Sequence, residues 1–392
     1  MGEWKSFQVG EIGKVITGKT PKTSISDNYG GYIPFLTPSD DMSVKYVRKT
    51  AKTLTEKGLS EVKNAILPAN SVCVSCIGSD LGKVVITTRP TVTNQQINSI
   101  VVDEARFDIS FVYYAMRILG KKLNFISKTS TAVPIVNKSS FSSYEIECPS
   151  LKEQKQIAAV LSVLDAKIEC NRMINDNLQQ QLFSLYENMA MTSPCLKEYT
   201  LSNLCDFQEG YVNPPQTHPE YFDGEVKWLR AVDINESFII ETSRTLTKAG
   251  FESAKKSALL FEPSTIAISK SGTIGRLGII ADYMCGNRAV INIAPHDTNM
   301  LAFIYCFLKS KQREFPDMAV GSVQKNLYVS LLEPLSVSVP DNESLTAFNA
   351  VGASILGMIH NNCVENKNLT NLRDTILPKL MSGAIDVSAV KL

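Results

Sequence analysis

Cys73 and Cys76 form the one Cys-x-x-Cys pair in the chain. A Cys-x-x-Cys pair supplies half of a zinc site or a redox couple, but zinc takes four ligands and no second pair accompanies this one. The pair also lies inside a strand-like apolar run, Ser71-Val72-Cys73-Val74-Ser75-Cys76-Ile77, so core packing is expected instead. There are 9 cysteines in all, an odd number without paired spacing, which suits free thiols in a reducing cytoplasm. His218, His296 and His360 stand far apart and follow neither ligand nor triad spacing, so no metal and no catalytic residue is expected. Two glycine turns are more suggestive: Gly78-Ser79-Asp80-Leu81-Gly82-Lys83 and Gly272-Thr273-Ile274-Gly275-Arg276. Neither has the spacing of a nucleotide-hydrolysing phosphate loop. Each could bring backbone N–H groups and one cation, Lys83 or Arg276, to a phosphate, or be a plain hairpin turn with an exposed cation.

Those turns recur because the chain does. Ile33-Pro34-Phe35-Leu36-Thr37-Pro38-Ser39-Asp40 returns as Val226-Lys227-Trp228-Leu229-Arg230-Ala231-Val232-Asp233, and Thr53-Leu54-Thr55-Glu56-Lys57-Gly58 as Thr245-Leu246-Thr247-Lys248-Ala249-Gly250. The offset stays near ~192 residues, far beyond the ~20–50 residues of a solenoid repeat. One domain-sized unit has been duplicated. In 392 residues, with 44% hydrophobic and 20% charged composition, each copy can bury its own core. No apolar run reaches membrane-spanning length and the start shows no apolar signal core. Gly2 fits a loose myristoylation pattern, read as a chance match. A net charge of +1 argues against a tight, stand-alone, nonspecific polyanion binder.

Residues 1–150 read as a mixed α/β domain, with strands over Ser71–Ile77, Lys83–Thr88 and Ile97–Val102 and a helix over Phe111–Leu119. Residues 196–340 repeat that plan, with Thr265–Ser269, Leu277–Ala281, Val290–Ala294 and a helix near Leu301–Leu308. Between and after them, at 151–195 and 341–392, come heptad seams. The first runs Ile157, Leu161, Leu164, Ile168, Asn171, Asn175, Leu178, Leu182, Leu185, Met189; the second Phe348, Gly352, Ile355, Ile359, Asn362, Asn366, Leu369, Arg373, Ile376, Leu380. The second is weaker, with Gly352 and Arg373 on the seam. Two such helices can bury their stripes against each other, antiparallel if the copies are related by a near-twofold axis, with Asn171 and Asn175 facing Asn362 and Asn366. The alternative is that each seam packs into its own domain's core.

The ordered, doubled set of segments resembles the specificity (S) subunit of type I restriction-modification systems over nearly the full length. It comprises Ile12–Pro21 and Leu204–Pro214, the strands ending in Asp40 and Asp233, the glycine turns, Thr93-Asn94-Gln95-Gln96-Ile97 and Gly286-Asn287-Arg288-Ala289-Val290, and Pro149-Ser150-Leu151-Lys152-Glu153-Gln154 before the first long helix. Pro340-Asp341-Asn342-Glu343-Ser344 lacks the Glu-Gln pair, which leaves the start of the second helix open. The resemblance implies an α/β (α+β) fold. Two pseudo-symmetric α/β target-recognition domains would be separated by a pair of long antiparallel coiled-coil helices. It also implies double-stranded DNA as target, two methyltransferase (M) subunits as partners, restriction/translocase (R) subunits joining them, and a cytoplasmic setting without membrane. The chain itself would be no enzyme and bind no cofactor, S-adenosylmethionine belonging to the methyltransferase partners. Asn213-Pro214-Pro215-Gln216 resembles an amino-methyltransferase motif, but Gln216 replaces the stacking aromatic and no cofactor loop precedes it, so a turn is expected.

Residues able to reach base edges or phosphates are the DNA-contact candidates. In the first copy they are Lys19, Lys22, Thr37, Lys83, Gln95 and Gln96; in the second Arg230, Lys270, Ser271, Arg276, Arg288, Gln324 and Lys325. At matched positions the copies differ, Gln95 against Arg288 and Thr37 against Arg230, as different half-sites would require. The competing reading is a two-headed protein-interaction scaffold without a DNA target. An autonomous methyltransferase is disfavoured by the missing cofactor loop.

Overall fold

The computed structural model describes residues 4–78, 81–129, 135–322 and 324–390. The chain divides into two compact units, Met1–Glu169 with Leu369–Leu392, and Cys170–Asn368. The division passes through two long helices, Leu151–Thr192 and Asn342–Met381, so each unit holds one globular domain and a segment of both helices. Among the described residues no helix is long and apolar enough to cross a membrane.

In the first unit a sheet places Gly13–Thr17, Ile97–Val102, Val72–Ser75, Val84–Thr87 and Tyr46–Val47 side by side in that order. Its central strands read as continuous apolar runs because both faces are covered. Val72, Val74, Val84 and Ile86 point to one face and pack on Phe111 and Val112 of the helix Ile109–Thr129. Cys73 and Val85 point to the other, onto Leu36 and Leu67. Those two belong to a second sheet, ordered Lys52–Leu54, Tyr29–Leu36, Thr91–Thr93, Ile66–Leu67. Cys73 and Cys76 are thus core residues, and burial pushes the Cys73 thiol up to about 12.

The second unit repeats the plan with one strand fewer. Its main sheet runs Cys205–Glu209, Val290–Pro295, Ile266–Ser269, Leu277–Ile280, Phe238–Ile239. Ile266, Ile268, Leu277 and Ile279 face Phe303 and Phe307 of the helix Leu301–Lys311, while Ala267 and Ile280 face Leu229 and Phe261. In its second sheet a single bridge, Phe261 to Met284, stands where Ile66–Leu67 pairs with Thr91–Thr93 in the first unit.

Within each unit the two long-helix segments run antiparallel. In the second, the Asn171 amide donates to Asn366 Oδ1 at 2.9 Å and to Glu365 Oε2 at 2.7 Å, and the Asn362 amide donates to Asn175 Oδ1 at 2.8 Å. Nearer the helix ends Leu182 meets Gly352 and Tyr186 meets Phe348. In the first unit Asp165 takes Arg373 at 2.7 Å. The long helices also serve the domains: seam residues Ile157, Leu161 and Leu380, with Leu377 beside the expected seam position Ile376, join the first core, and Leu182, Met189, Phe348, Ile355 and Ile359 the second. Ile168 is buried; Leu164, Leu178, Leu369 and Ile376 are half-buried; Leu185 is exposed.

Each long helix has its own start signal. The Ser150 hydroxyl accepts from the Glu153 N–H, and Gln154 ties the first turn to Asp108 and Pro149. At the second helix Asp341 accepts from the N–H groups of Ser344 and Glu343 and from the hydroxyls of Ser344 and Ser193. These bonds, the Ser344 N–H first, hold its carboxyl down at about 2. Asp341 caps the second helix as Ser150 caps the first, without a Glu-Gln pair behind it.

Candidate nucleic-acid interface

Strand pairing gathers the loops of each domain at one end of its main sheet. In the first unit Gly18 N donates to Ile97 O, Cys76 N to Gln96 O, Ser75 N to Lys83 O, and Asn94 N to Leu36 O. The loop after Thr17, the Asn94–Gln96 turn, the glycine turn and the Thr37–Asp40 turn therefore lie together. The second unit does the same through Gly210 N to Val290 O, Lys270 N to Ala289 O, Ser269 N to Arg276 O, and Asn287 N to Leu229 O.

Two aspartates brace these ends. Asp40 accepts from the N–H groups of Thr37 at 2.7 Å and Ala51 at 2.6 Å; Asp233 accepts from those of Arg230 and Ser243, each at 2.9 Å. Their recurrence in the sequence reflects this clamp. The glycine turns divide their labour. A Cβ on Gly82 would fall 2.2 Å from Gly120 O, and one on Gly275 3.0 Å from Phe315, so the second glycine of each turn docks on the covering helix layer. Gly78 and Gly272, at φ +77° and +75°, meet only open space. Only glycine adopts that backbone freely. Ser79 and Asp80 lie outside the described residues.

In the first unit Lys19, Lys83 and Gln95 are exposed at this end. Gln95 Oε1 accepts from the Thr20 hydroxyl at 2.6 Å. Gln96 turns inward, its Oε1 taking the Asn94 amide at 2.9 Å, and the Thr37 hydroxyl is held by Asp40 at 2.9 Å. Lys22 lies further along its loop, where Glu61 receives its N–H at 2.9 Å.

In the second unit Arg288 is exposed, and its guanidinium makes no hydrogen bond or ion pair among the described residues. Gln324 and Lys325 are exposed and line an open recess with Gly272 and Pro316; Ser271 and Arg276 are half-buried beside it. Arg230 bonds Ser243 Oγ at 2.5 Å and stands 5.6 Å from the Trp228 ring. The Lys270 ammonium is held by Glu209 at 2.9 Å and lies 4.7 Å from the Tyr328 ring centroid.

Two exposed aromatics at this end, Tyr211 and Tyr328, show no spacing signal in the sequence. The Tyr211 hydroxyl donates to Glu209, whose carboxylate raises that phenol above its ordinary value. Gln216 accepts from Arg244 at 2.9 Å in an irregular segment, away from any strand or helix. Among the described residues no group of His, Cys, Asp and Glu is arranged to hold a metal ion.

Each copy of the duplicated α/β domain thus presents a polar, cation-bearing loop end. The chain belongs to the type I restriction-modification specificity subunits, non-catalytic targeting components: the family described as "Type I restriction modification DNA specificity domain" matches residues 1–180 and 196–371. It is 26% identical to the type I restriction enzyme MjaIX specificity subunit of Methanocaldococcus jannaschii, over 98% of this chain and 94% of that one. It is 33% identical to the HindI specificity subunit of Haemophilus influenzae, over 46% and 41% of the two chains. The crystal structure of a type I S subunit from M. genitalium shares the fold, at a TM-score of 0.51 and 18% identity over 97% of this chain and 96% of that one.

Proposed function

We propose that this chain reads a split duplex DNA site, each domain recognising one half through the loop end of its main sheet. The observation that carries this reading is the twice-built loop cluster, with the same backbone bonds in both copies but different outward side chains. Identical scaffolds with different polar tips are what two different half-sites need. The long helices would fix the spacing and dock two methyltransferase subunits, which carry S-adenosylmethionine and modify an adenine near each half-site. Restriction/translocase subunits would join for cleavage, in the cytoplasm. With a net charge of only +1, partners would supply much of the phosphate neutralisation.

The test is a methylome. The chain is expressed with its methyltransferase partner, host DNA is sequenced with modification-sensitive reads, and the measurement is repeated without this chain. A split adenine-methylated motif that vanishes without the chain is the expected outcome. An intact complex with no chain-dependent motif would favour the two-headed protein scaffold.

A further inference from the structure

Within each loop cluster one turn is built as a rigid pedestal, and the two pedestals match bond for bond. Asn94 N donates to Leu36 O at 3.0 Å and Asn287 N to Leu229 O at 2.9 Å. Asn94 Oδ1 takes the Gln96 N–H at 3.1 Å, and Asn287 Oδ1 the Ala289 N–H at 3.0 Å. The turns close through Ile97 N to Asn94 O and Val290 N to Asn287 O, and anchor to the sheet through Cys76 N to Gln96 O and Lys270 N to Ala289 O. A glycine backs each one: a Cβ on Gly18 would fall 2.1 Å from Asn94 O, and one on Gly210 2.2 Å from Asn287 O. The outer residues of each turn are consumed by this bracing. The middle one, Gln95 or Arg288, is exposed.

We infer that Gln95 and Arg288 are equivalent specificity-determining residues, Gln95 reading an A·T pair in one half-site and Arg288 a G·C pair in the other. This rests on the DNA-reading function proposed above. The Thr20 hydroxyl occupies one lone pair of Gln95 Oε1, and the exposed amide keeps its NH2 and its second lone pair for another partner. That is the donor–acceptor pair that matches adenine N7 and N6 in the major groove. The position matching Thr20 in the second copy is the buried Val212, which offers Arg288 no such tether. A guanidinium has only donors, and its fork matches guanine O6 and N7. A stiff base beneath each side chain limits the ordering cost on binding.

The experiment is the methylome of the complete complex carrying Gln95→Arg or Arg288→Gln, alongside selection of duplexes from a randomised pool by the same complexes. The wild type is expected to specify A·T at one position of one half-site and G·C at one position of the other. Gln95→Arg should convert the first to G·C and Arg288→Gln the second to A·T, all other positions unchanged. Gln95→Ala should weaken preference at that single position by roughly 5- to 150-fold. A substituted complex that selects the wild-type motif, or loses affinity evenly for all duplexes, makes these residues phosphate contacts or bystanders and overturns the inference while the DNA-reading function stands. A wild-type complex that selects no split motif overturns both.

Discussion

Gly18 has no room for a methyl group, since its Cβ position lies 2.1 Å from a backbone oxygen that itself closes the Asn94–Gln96 turn. Gly18→Ala is therefore expected to cost about 1–3 kcal/mol of stability by overpacking. Denaturant unfolding would measure that cost, and half-site selectivity should loosen in one half of the motif only. At the same scale, Lys45 is buried among the hydroxyls of Ser110, Ser162 and Tyr114. Burial lowers its pKa from 10.5 to about 8, opposed by the charges of Asp165 and Asp108 and assisted by Arg117. Between those two values the unfolded chain binds more protons than the native one, so this residue's contribution to stability rises with pH across that window. Below it the charged, buried Lys45 is a constant burden of roughly 3 kcal/mol at most. Buried tyrosines and thiols with raised pKa values act oppositely at alkaline pH, so the quantity to measure is the difference between wild type and Lys45→Gln. Unfolding free energies should shift in favour of wild type from pH 7 to pH 10; a flat difference would contradict this.

The long helices owe their pairing to positions that look like flaws in the heptad pattern. Arg373 sits on the seam because Asp165 opposes it at 2.7 Å, and Asp165 also receives the Tyr114 hydroxyl. Arg373→Leu should cost about 3–5 kcal/mol by stranding a buried carboxylate, whereas Asp165→Leu combined with Arg373→Leu should recover much of the loss. A double-mutant cycle by denaturant unfolding checks this. Gly352 leaves space for the domain helix: its Cβ would fall 2.6 Å from the Ala302 Cβ. Gly352→Ala should thus destabilise the chain, although alanine favours an isolated helix by about 1 kcal/mol. A raised Tm for this variant would refute the contact.

On the scale of the whole molecule, each domain closes its hydrogen-bond ladders within its own unit, so lesions in one loop cluster are expected to leave the other half-site intact. The helix pair makes a separate claim. Asn171 pairs with Asn366 and Asn175 with Asn362, so length must be added to both helices to keep the register. Inserting seven residues at matched points adds about 10 Å of helix and one seam repeat. The spacer of the methylated motif should lengthen while its half-site bases stay the same. Altered half-site bases would end the idea of the helices as a ruler.

The duplication, three strands and a helix in each copy, and the two heptad seams are legible in the linear string, whereas the antiparallel pairing follows from it only if the copies are related by a near-twofold axis. The seams reside in local periodicity, and a nearly constant offset, between Asp40 and Asp233 as between Ile168 and Ile359, survives in a linear string. The same string also showed that Cys73 and Cys76 lie in an apolar run, which the structure buries. Which polar residues remain outward is set by the folded chain alone. Gln95 and Gln96 are adjacent and chemically identical, yet one is consumed by Asn94 and the other projects. Lys270 looks like any surface cation until Glu209 and Tyr328 close on it. Gly352 and Arg373 read as breaks in a seam until Ala302 and Asp165 meet them. For Lys270, Gly352 and Arg373 a partner distant in sequence decides the role, and for Gln96 the conformation of a tight turn does; contacts of either kind leave no periodic trace in the chain.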